Sequence, residues 1–435
     1  MSGIDGYIVP IVFLTTDLEE NPPHFREITD RLYGEGHEYR RQQEIVLGVG
    51  GVRMLEALGF KNLKKYHMNE GHSSFLAVEL LRQHMNKEEV KKRCIFTTHT
   101  PVPAGHDIFS MRMVKSNLEP ELFNNIPQEI LIEGSLNMTM LALKLSGYIN
   151  GVAKKHAEVS KGMFPDYPIS SITNGVHART WVSPHFAKLY DEHVPNWQRS
   201  PDALRCISSI EKSKIWDAHY EAKKQIIDFA NATTNAGLDY DHFTLGWARR
   251  FTSYKRPDLF LENIDRLIDI AEKHGAIQII YAGKAHPQDT EGKNLIQKII
   301  DISEDLNDIV KMAYLPNYDM YLSKFMTSGV DAWLNTPMPP YEASGTSGMK
   351  CALNGIPQIS VLDGWWHEGC VEGETGWSFS NSEELYDLLD NKVINTFYND
   401  KRRWTTIMQK AIILNGSFFN SHRMINEYIK QAYNI

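Results

Sequence analysis

An α/β fold of two units is predicted by three features of the sequence. Short apolar runs alternate with longer amphipathic ones, the signature of strands crossing over through helices. Each early run passes straight into polar or ionisable residues. A second series of such runs begins near Phe243, after a long polar helical stretch. The chain has 435 residues and is 42% hydrophobic, enough for two ordinary cores.

In the first half the predicted strands are Tyr7–Leu14, Lys64–Met68, Cys94–Thr97 and Ile169–Thr173. They run into Asp17, Asn69 and Glu70, His99, and Asn174. In open α/β sheets ligands bind beyond the carboxyl ends of the strands, so these endings predict one rim of a cleft. Met138, Leu141, Leu145, Ile149 and Val152 recur at helical spacing and predict one long core-packed helix. Residues 210–230 read as a polar helical connector and hinge. In the second series the predicted strands are Phe243–Trp247, Ile277–Ala282, Ile309–Leu315, Ala332–Asn335 and Gln358–Leu362. A helix over Pro257–Lys273 follows the first of them, with proline in its first turn. The tail from Arg403 reads as two short helices broken at Asn415-Gly416. The expected domains are residues 1–225, 226–405 and 406–435, the last returning to the first domain.

Composition narrows the function. A net charge of −8 gives no reason to expect nucleic acid or an anionic membrane as partner. Arg249, Arg250, Lys255 and Arg256 therefore stand out as a basic cluster directly after a strand. Four widely spaced cysteines form no zinc motif or evident disulfide framework, which suits a reducing interior. The early apolar run is broken by Pro10 and lacks a basic leader, so neither a membrane span nor a signal peptide is expected, and a cytoplasmic protein follows.

The most informative stretch is Glu342-Ala-Ser-Gly-Thr-Ser-Gly-Met-Lys350. It follows a strand and opens an apolar helical segment, a layout in which backbone N–H groups and the helix dipole favour an anion. Met349, Cys351, Ala352 and Leu353 surround Lys350 with apolar groups. A desolvated amine loses part of its basicity and becomes a nucleophile for carbonyl compounds. Asn69, Glu70 and His72 form another group at a strand end, but no third and fourth ligands present themselves, so no metal is predicted.

This window resembles the pyridoxal phosphate site of the α-glucan (glycogen, starch, maltodextrin) phosphorylases. Tyr66-His-Met-Asn-Glu-Gly-His72, Phe96-Thr-Thr-His-Thr-Pro101, Ile172-Thr-Asn-Gly175, Trp247-Ala-Arg-Arg-Phe-Thr-Ser-Tyr-Lys-Arg256 and Tyr281-Ala-Gly-Lys284 resemble family blocks in family order. Leu362-Asp-Gly-Trp-Trp-His-Glu-Gly369 points to the short bacterial and archaeal form. The resemblance implies two Rossmann-like domains facing a cleft, the GT-B glycosyltransferase architecture. It implies retaining transfer of a terminal α-1,4-linked glucosyl unit to inorganic phosphate, giving α-glucose 1-phosphate. Pyridoxal 5′-phosphate would be held by Lys350 as a Schiff base, with Arg249, Thr346 and Ser347 on its phosphate and Trp181 beside it. Arg250 and Lys255 would take the substrate phosphate. Glu342, Ser344 and Gly345 would take sugar, with His99 and Asn174 reaching its 6-hydroxyl. Asn69, Glu70 and His72 would line the substrate rim, Glu70 standing where relatives often carry aspartate and Arg249 where they often carry lysine. Trp365 and Trp366 divide evenly between a sugar platform and plain core.

Two rivals are set against this reading. A nucleotide-sugar glycosyltransferase of the same architecture requires a carboxylate where Lys350 stands, since a lysine cannot accept hydrogen bonds from a ribose. An inactive glucan-binding fragment is the other. The resemblance starts partway into the first domain, and roughly a hundred residues with a glycine-rich loop are expected beyond it. A separate chain supplying them, or a truncated product, would account for that. Assembly into an oligomer is compatible with either.

Overall fold

The computed structural model describes residues 6–32, 36–84, 86–306 and 309–434. By contact density the chain divides into two compact units, Met1–Gly151 with Ser160–Ser170, and Val152–Val159 with Ser171–Ile435. Each carries a parallel sheet among helices, so the α/β expectation holds in both. Residue 225, the expected domain boundary, falls inside a single helix of the second unit, Lys212–Thr234.

The first unit's sheet has four strands in spatial order β1-β2-β3-β4: Tyr66–Asn69 (β1), Cys94–Thr97 (β2), Tyr148–Gly151 (β3) and Ile169–Ser171 (β4). β1 with β2 and β2 with β3 pair in parallel. A small antiparallel sheet of Ile108–Ser110, Ser135–Asn137 and Leu131–Ile132 lies apart from it. Two sequence expectations are corrected here. The long helix ends at Leu145, and Ile149 belongs to β3. The apolar stripe is continuous across the break, but Gly147 presses its backbone against the next element: a Cβ there would meet the Lys91 carbonyl at 2.5 Å. Tyr7–Leu14 joins none of the described sheets. Apart from a single bridge residue at Ile8 it takes no regular structure, with Tyr7 82% and Phe13 88% exposed, because an apolar run becomes a strand only beside an edge that pairs with it along its length.

The second unit's sheet has six parallel strands: Phe243–Ala248 (β5), Ile277–Ala282 (β6), Val310–Leu315 (β7), Ala332–Asn335 (β8), Gln358–Val361 (β9) and Gly376–Phe379 (β10). Their order is β7-β6-β5-β8-β9-β10. Numbered from β5 this is 3-2-1-4-5-6, the Rossmann arrangement, with its switch point between β5 and β8. β5, β6, β8 and β9 are buried along their whole length, as expected where helices cover both faces. β10 went unread in the sequence. The helix expected from Pro257 starts instead at Ile264, where the Asn263 side chain caps the Arg266 N–H. The reason lies upstream. Arg256 adopts a left-handed turn (φ 43°) and donates to the carbonyls of Thr336 and Pro337, which commits that backbone to the strand end.

Trp365 and Trp366 are each 1% exposed and sit edge-on, 5.3 Å apart, with Trp365 against Phe419. They are core, not a sugar platform. Two side chains of helix Lys212–Thr234 reach the end of the sheet opposite the strand carboxyl termini. There Lys223 Nζ lies 2.6 Å from Asp331 Oδ2, just ahead of β8, and His219 Nε2 lies 2.8 Å from Asp331 Oδ1. Helix Lys401–Lys410 bonds to residues 207–212, and the start of helix Ser421–Tyr428, with the preceding Asn420, returns to residues 173–176. Among the described residues no helix is long and apolar enough to cross a membrane.

Candidate active site

Three strand ends of the second unit converge at the switch point. Arg249 follows β5 and donates to the Asn335 side chain at the end of β8 and to Glu342 Oε2. Lys255 Nζ approaches the same Glu342 oxygen at 2.8 Å. Asp363, two residues past β9, accepts the Glu342 N–H at 2.8 Å and the Gly364 N–H at 2.9 Å. Glu342 is thus fixed through its backbone by one strand end and through its carboxylate by another.

The electrostatics follow from burial. Desolvation pushes the Glu342 carboxyl up, but Arg249 and Lys255 outweigh it and hold the group below its ordinary range. Burial, then the neighbouring Arg249, push Lys255 down to about 8 against the pull of Glu342. Several buried polar atoms here lack any hydrogen-bond partner: Arg249 Nε, Thr252 Oγ1 and Ser344 Oγ. Such atoms are rare in folded proteins, and a cluster of them marks where a polar ligand belongs. Arg250 is exposed and makes none of these contacts.

The window's far end forms the short helix Ser347–Ala352. Gly345 enters it through a left-handed turn, φ 81°. Thr346 accepts the Lys350 N–H through its carbonyl, and Ser347 Oγ accepts the Trp333 indole N–H at 3.1 Å. Lys350 Nζ rests over the Trp181 ring, 3.7 Å from its centroid. Among the described residues no carboxylate forms a salt bridge with it, and burial lowers its pKa. Asn354 clamps this pair, donating to the carbonyls of Trp181 (2.8 Å) and Lys350 (3.1 Å) and accepting the Ser183 N–H. The Tyr318 hydroxyl, which donates to Ser323 Oγ at 2.9 Å, lies within electrostatic reach of Cys351 and of Arg249.

Asn174 lies in a loop that the chain's end holds in place. Arg423 donates to the carbonyls of Thr173 (2.7 Å) and Asn174 (2.8 Å), and the Thr173 hydroxyl donates to Glu368. Gly175 has no room for a side chain, since a Cβ would sit 2.2 Å from the Asn420 carbonyl.

In the first unit Asn69 and His99 meet, His99 Nε2 against Asn69 Oδ1. Burial depresses the His99 pKa, which favours the neutral ring. Glu70 has a strained backbone, φ 72°. Its carboxylate accepts the Gly71 N–H (3.0 Å), the His99 N–H (2.6 Å) and the Thr100 hydroxyl (2.9 Å). It therefore positions the His99 loop. His72 points elsewhere, toward Asp107 and Glu44, two carboxylates distant from it along the chain.

The structure thus gathers Arg249, Lys255, Glu342 and Ser344, places Lys350 on Trp181, and pairs Asn69 with His99. Asn335, Asp363, Tyr318, Asn354 and Arg423 were not singled out from the sequence. Asn335 and Asp363 had a usable signal, polar residues at or just past the carboxyl ends of predicted strands. Asn354 and Arg423 act on backbone far away in sequence and had none.

The carbohydrate phosphorylase family model matches residues 125–368, more than half of the chain. Maltodextrin phosphorylase of Thermococcus litoralis is 35% identical over 98% of this chain and 57% of its own length. Glycogen phosphorylase of Aquifex aeolicus is 34% identical over 97% and 70%, and that of Mycobacterium tuberculosis 34% over 98% and 58%. The chain belongs to the carbohydrate phosphorylase family. It spans between 57% and 70% of the length of these relatives.

Proposed function

We propose that this chain carries the cofactor and phosphate site of an α-glucan phosphorylase, transferring a terminal α-1,4-linked glucosyl unit to inorganic phosphate with retention. The observation that carries this reading is an amine without a carboxylate partner, desolvated on an indole face, in the same nine-residue stretch as the carboxylate around which a basic pair is gathered. That donor set fits pyridoxal 5′-phosphate. Lys350 would hold its aldehyde carbon. Arg249, with its orphaned Nε, and the turn Thr346-Ser347 would hold its phosphate. When bound, the cofactor supplies a phosphate able to give and take a proton beside the substrate phosphate.

The chain's own residues do the rest. Lys255 provides a point charge for the substrate phosphate, and exposed Arg250 is free in position to form a bidentate clamp on it. Glu342 accepts sugar hydroxyls, with the Ser344 and Gly345 backbone beside it. As the glycosidic bond lengthens, positive charge develops at the anomeric carbon, and fixed charges stabilise the ion pair without reorganising. Asn174, His99 and Asn69 are proposed as sugar-side residues, with Glu70 holding the His99 loop in position and His72 turned away toward Asp107 and Glu44.

The test is cofactor capture. The purified chain is incubated with pyridoxal 5′-phosphate, treated with borohydride and digested. One labelled peptide containing Lys350 is expected, and none from Lys350→Ala. Retention of the cofactor by that variant would overturn the reading, as would failure of phosphate to release α-glucose 1-phosphate from maltoheptaose by the loaded protein.

A second expectation concerns pH. Lys255 is charged below about pH 8 and loses its charge above it. Affinity for inorganic phosphate should therefore fall about tenfold between pH 7 and 9, although phosphate itself becomes more anionic. Lys255→Arg should flatten that limb in a calorimetric titration, because arginine stays charged. An unchanged limb would remove Lys255 from the phosphate site.

A further inference from the structure

We propose that Glu44, His72 and Asp107 form a divalent-cation site in the first unit, suited to a first-row transition-series ion such as zinc or manganese. The inference goes beyond the glucan reading and does not depend on it.

The three residues come from separate parts of the sequence. Glu44 sits near the end of helix Gly36–Ile45, His72 in the turn after β1, and Asp107 just ahead of the strand Ile108–Ser110. The fold brings His72 Nδ1 to 3.2 Å from Asp107 Oδ2 and 3.7 Å from Glu44 Oε1. One ligating atom from each lies within 4.8 Å of the others. Donors around one ion at about 2.1 Å stand about 3 to 4.2 Å apart, so small side-chain movements complete the shell.

The second observation is Glu44 itself. It is 3% exposed, and neither carboxylate oxygen receives a hydrogen bond. A buried acid whose nearest cationic partner is an imidazole at 3.7 Å, with a second carboxylate beside it, is costly. Arg40 lies 2.5 Å from Asp107 Oδ2. Ligating carboxylates are commonly oriented by such outer partners, and a carboxylate oxygen accepts more than one contact. An entering ion would replace the His72 contact on that oxygen and keep the Arg40 one. Glu44 and His72 both line a cavity of about 460 Å³, together with Arg40 and Gln43, which gives an entry path and room for water ligands. One imidazole with two carboxylates selects a transition-type divalent ion over magnesium or calcium.

The experiment is a calorimetric titration of the full chain, stripped with chelator, with zinc chloride and separately with manganese chloride. Saturable binding of one ion per chain is expected, weakened by at least the roughly 10- to 100-fold that loss of an outer partner costs, or lost, in Glu44→Gln, which keeps the shape of the side chain. His72→Gln gives a second arm, and far-ultraviolet circular dichroism checks that both variants fold. Absence of one-to-one binding of either ion overturns the proposal. So does binding that neither substitution weakens, which would place the ion elsewhere.

Discussion

Replacing Lys223 by methionine should destabilise the second unit by about 3–5 kcal/mol, the usual cost of removing one partner from a buried ion pair. Lys223 and Asp331 are each no more than 1% exposed at their side chains. The ammonium donates to Asp331 Oδ2 and to the His242 carbonyl, and the Thr244 N–H reaches the same carboxylate. Burial alone would raise the Asp331 carboxyl; Lys223 and His219 reverse that and hold it low. Methionine keeps the apolar stem but leaves a carboxylate with too little compensation. The loss should shrink in acid, where protonation relieves the stranded charge, and Lys223→Met/Asp331→Asn should recover part of it. All nine tryptophans lie at or beyond residue 181, so tryptophan fluorescence during urea unfolding reports on the second unit alone. A midpoint shift worth less than about 1 kcal/mol would show that the cluster is not needed for stability.

Glu342→Gln carries the largest expected effect on catalysis. The carboxylate serves two cations at once, Arg249 and Lys255, while it is proposed to receive sugar hydroxyls. The amide keeps the shape but loses the charge, so it can neither neutralise the pair nor bind a hydroxyl as strongly. The glucan kcat/KM should fall about 10²- to 10³-fold, the scale of losing one fixed electrostatic contact to a transition state. Affinity for inorganic phosphate should move the other way, because Lys255 no longer has an internal anion competing for it. Initial rates of maltoheptaose phosphorolysis, varied in each substrate separately, check both arms. Equal losses for the two substrates would mean that the substitution merely disrupts the site.

Much of this arrangement was legible before any coordinates. Strands buried on both faces write themselves as short apolar runs, and β2, β6 and β8 begin and end where the sequence placed them. The reading failed where one signal imitated another. The stripe from Met138 to Val152 keeps helical spacing across Gly147 although the chain turns into β3 there. Tyr7–Leu14 has a strand's composition, but pairing depends on a neighbour and not on the run itself. At the site, Glu342 and Lys350 were legible because both lie in one nine-residue window, and Arg249 and Lys255 because they follow one strand. Their convergence depends on parallel register at the switch point, which residue order alone does not display. Glu44 and Asp107 meet His72 only through tertiary packing.

The clasp of Arg423 and Asn420 on the Asn174 loop bears on how the molecule is made. The bonds from Arg423 to residues 173 and 174 close loops of about 250 residues, contacts that come late because so much chain must be ordered first. During synthesis a ribosome that has translated through residue 400 has produced the whole basic pair and Lys350, yet not the arginine that seats Asn174. A nascent chain would carry its anion-binding groups before its sugar-side loop is secured, leaving the latter among the last parts to mature.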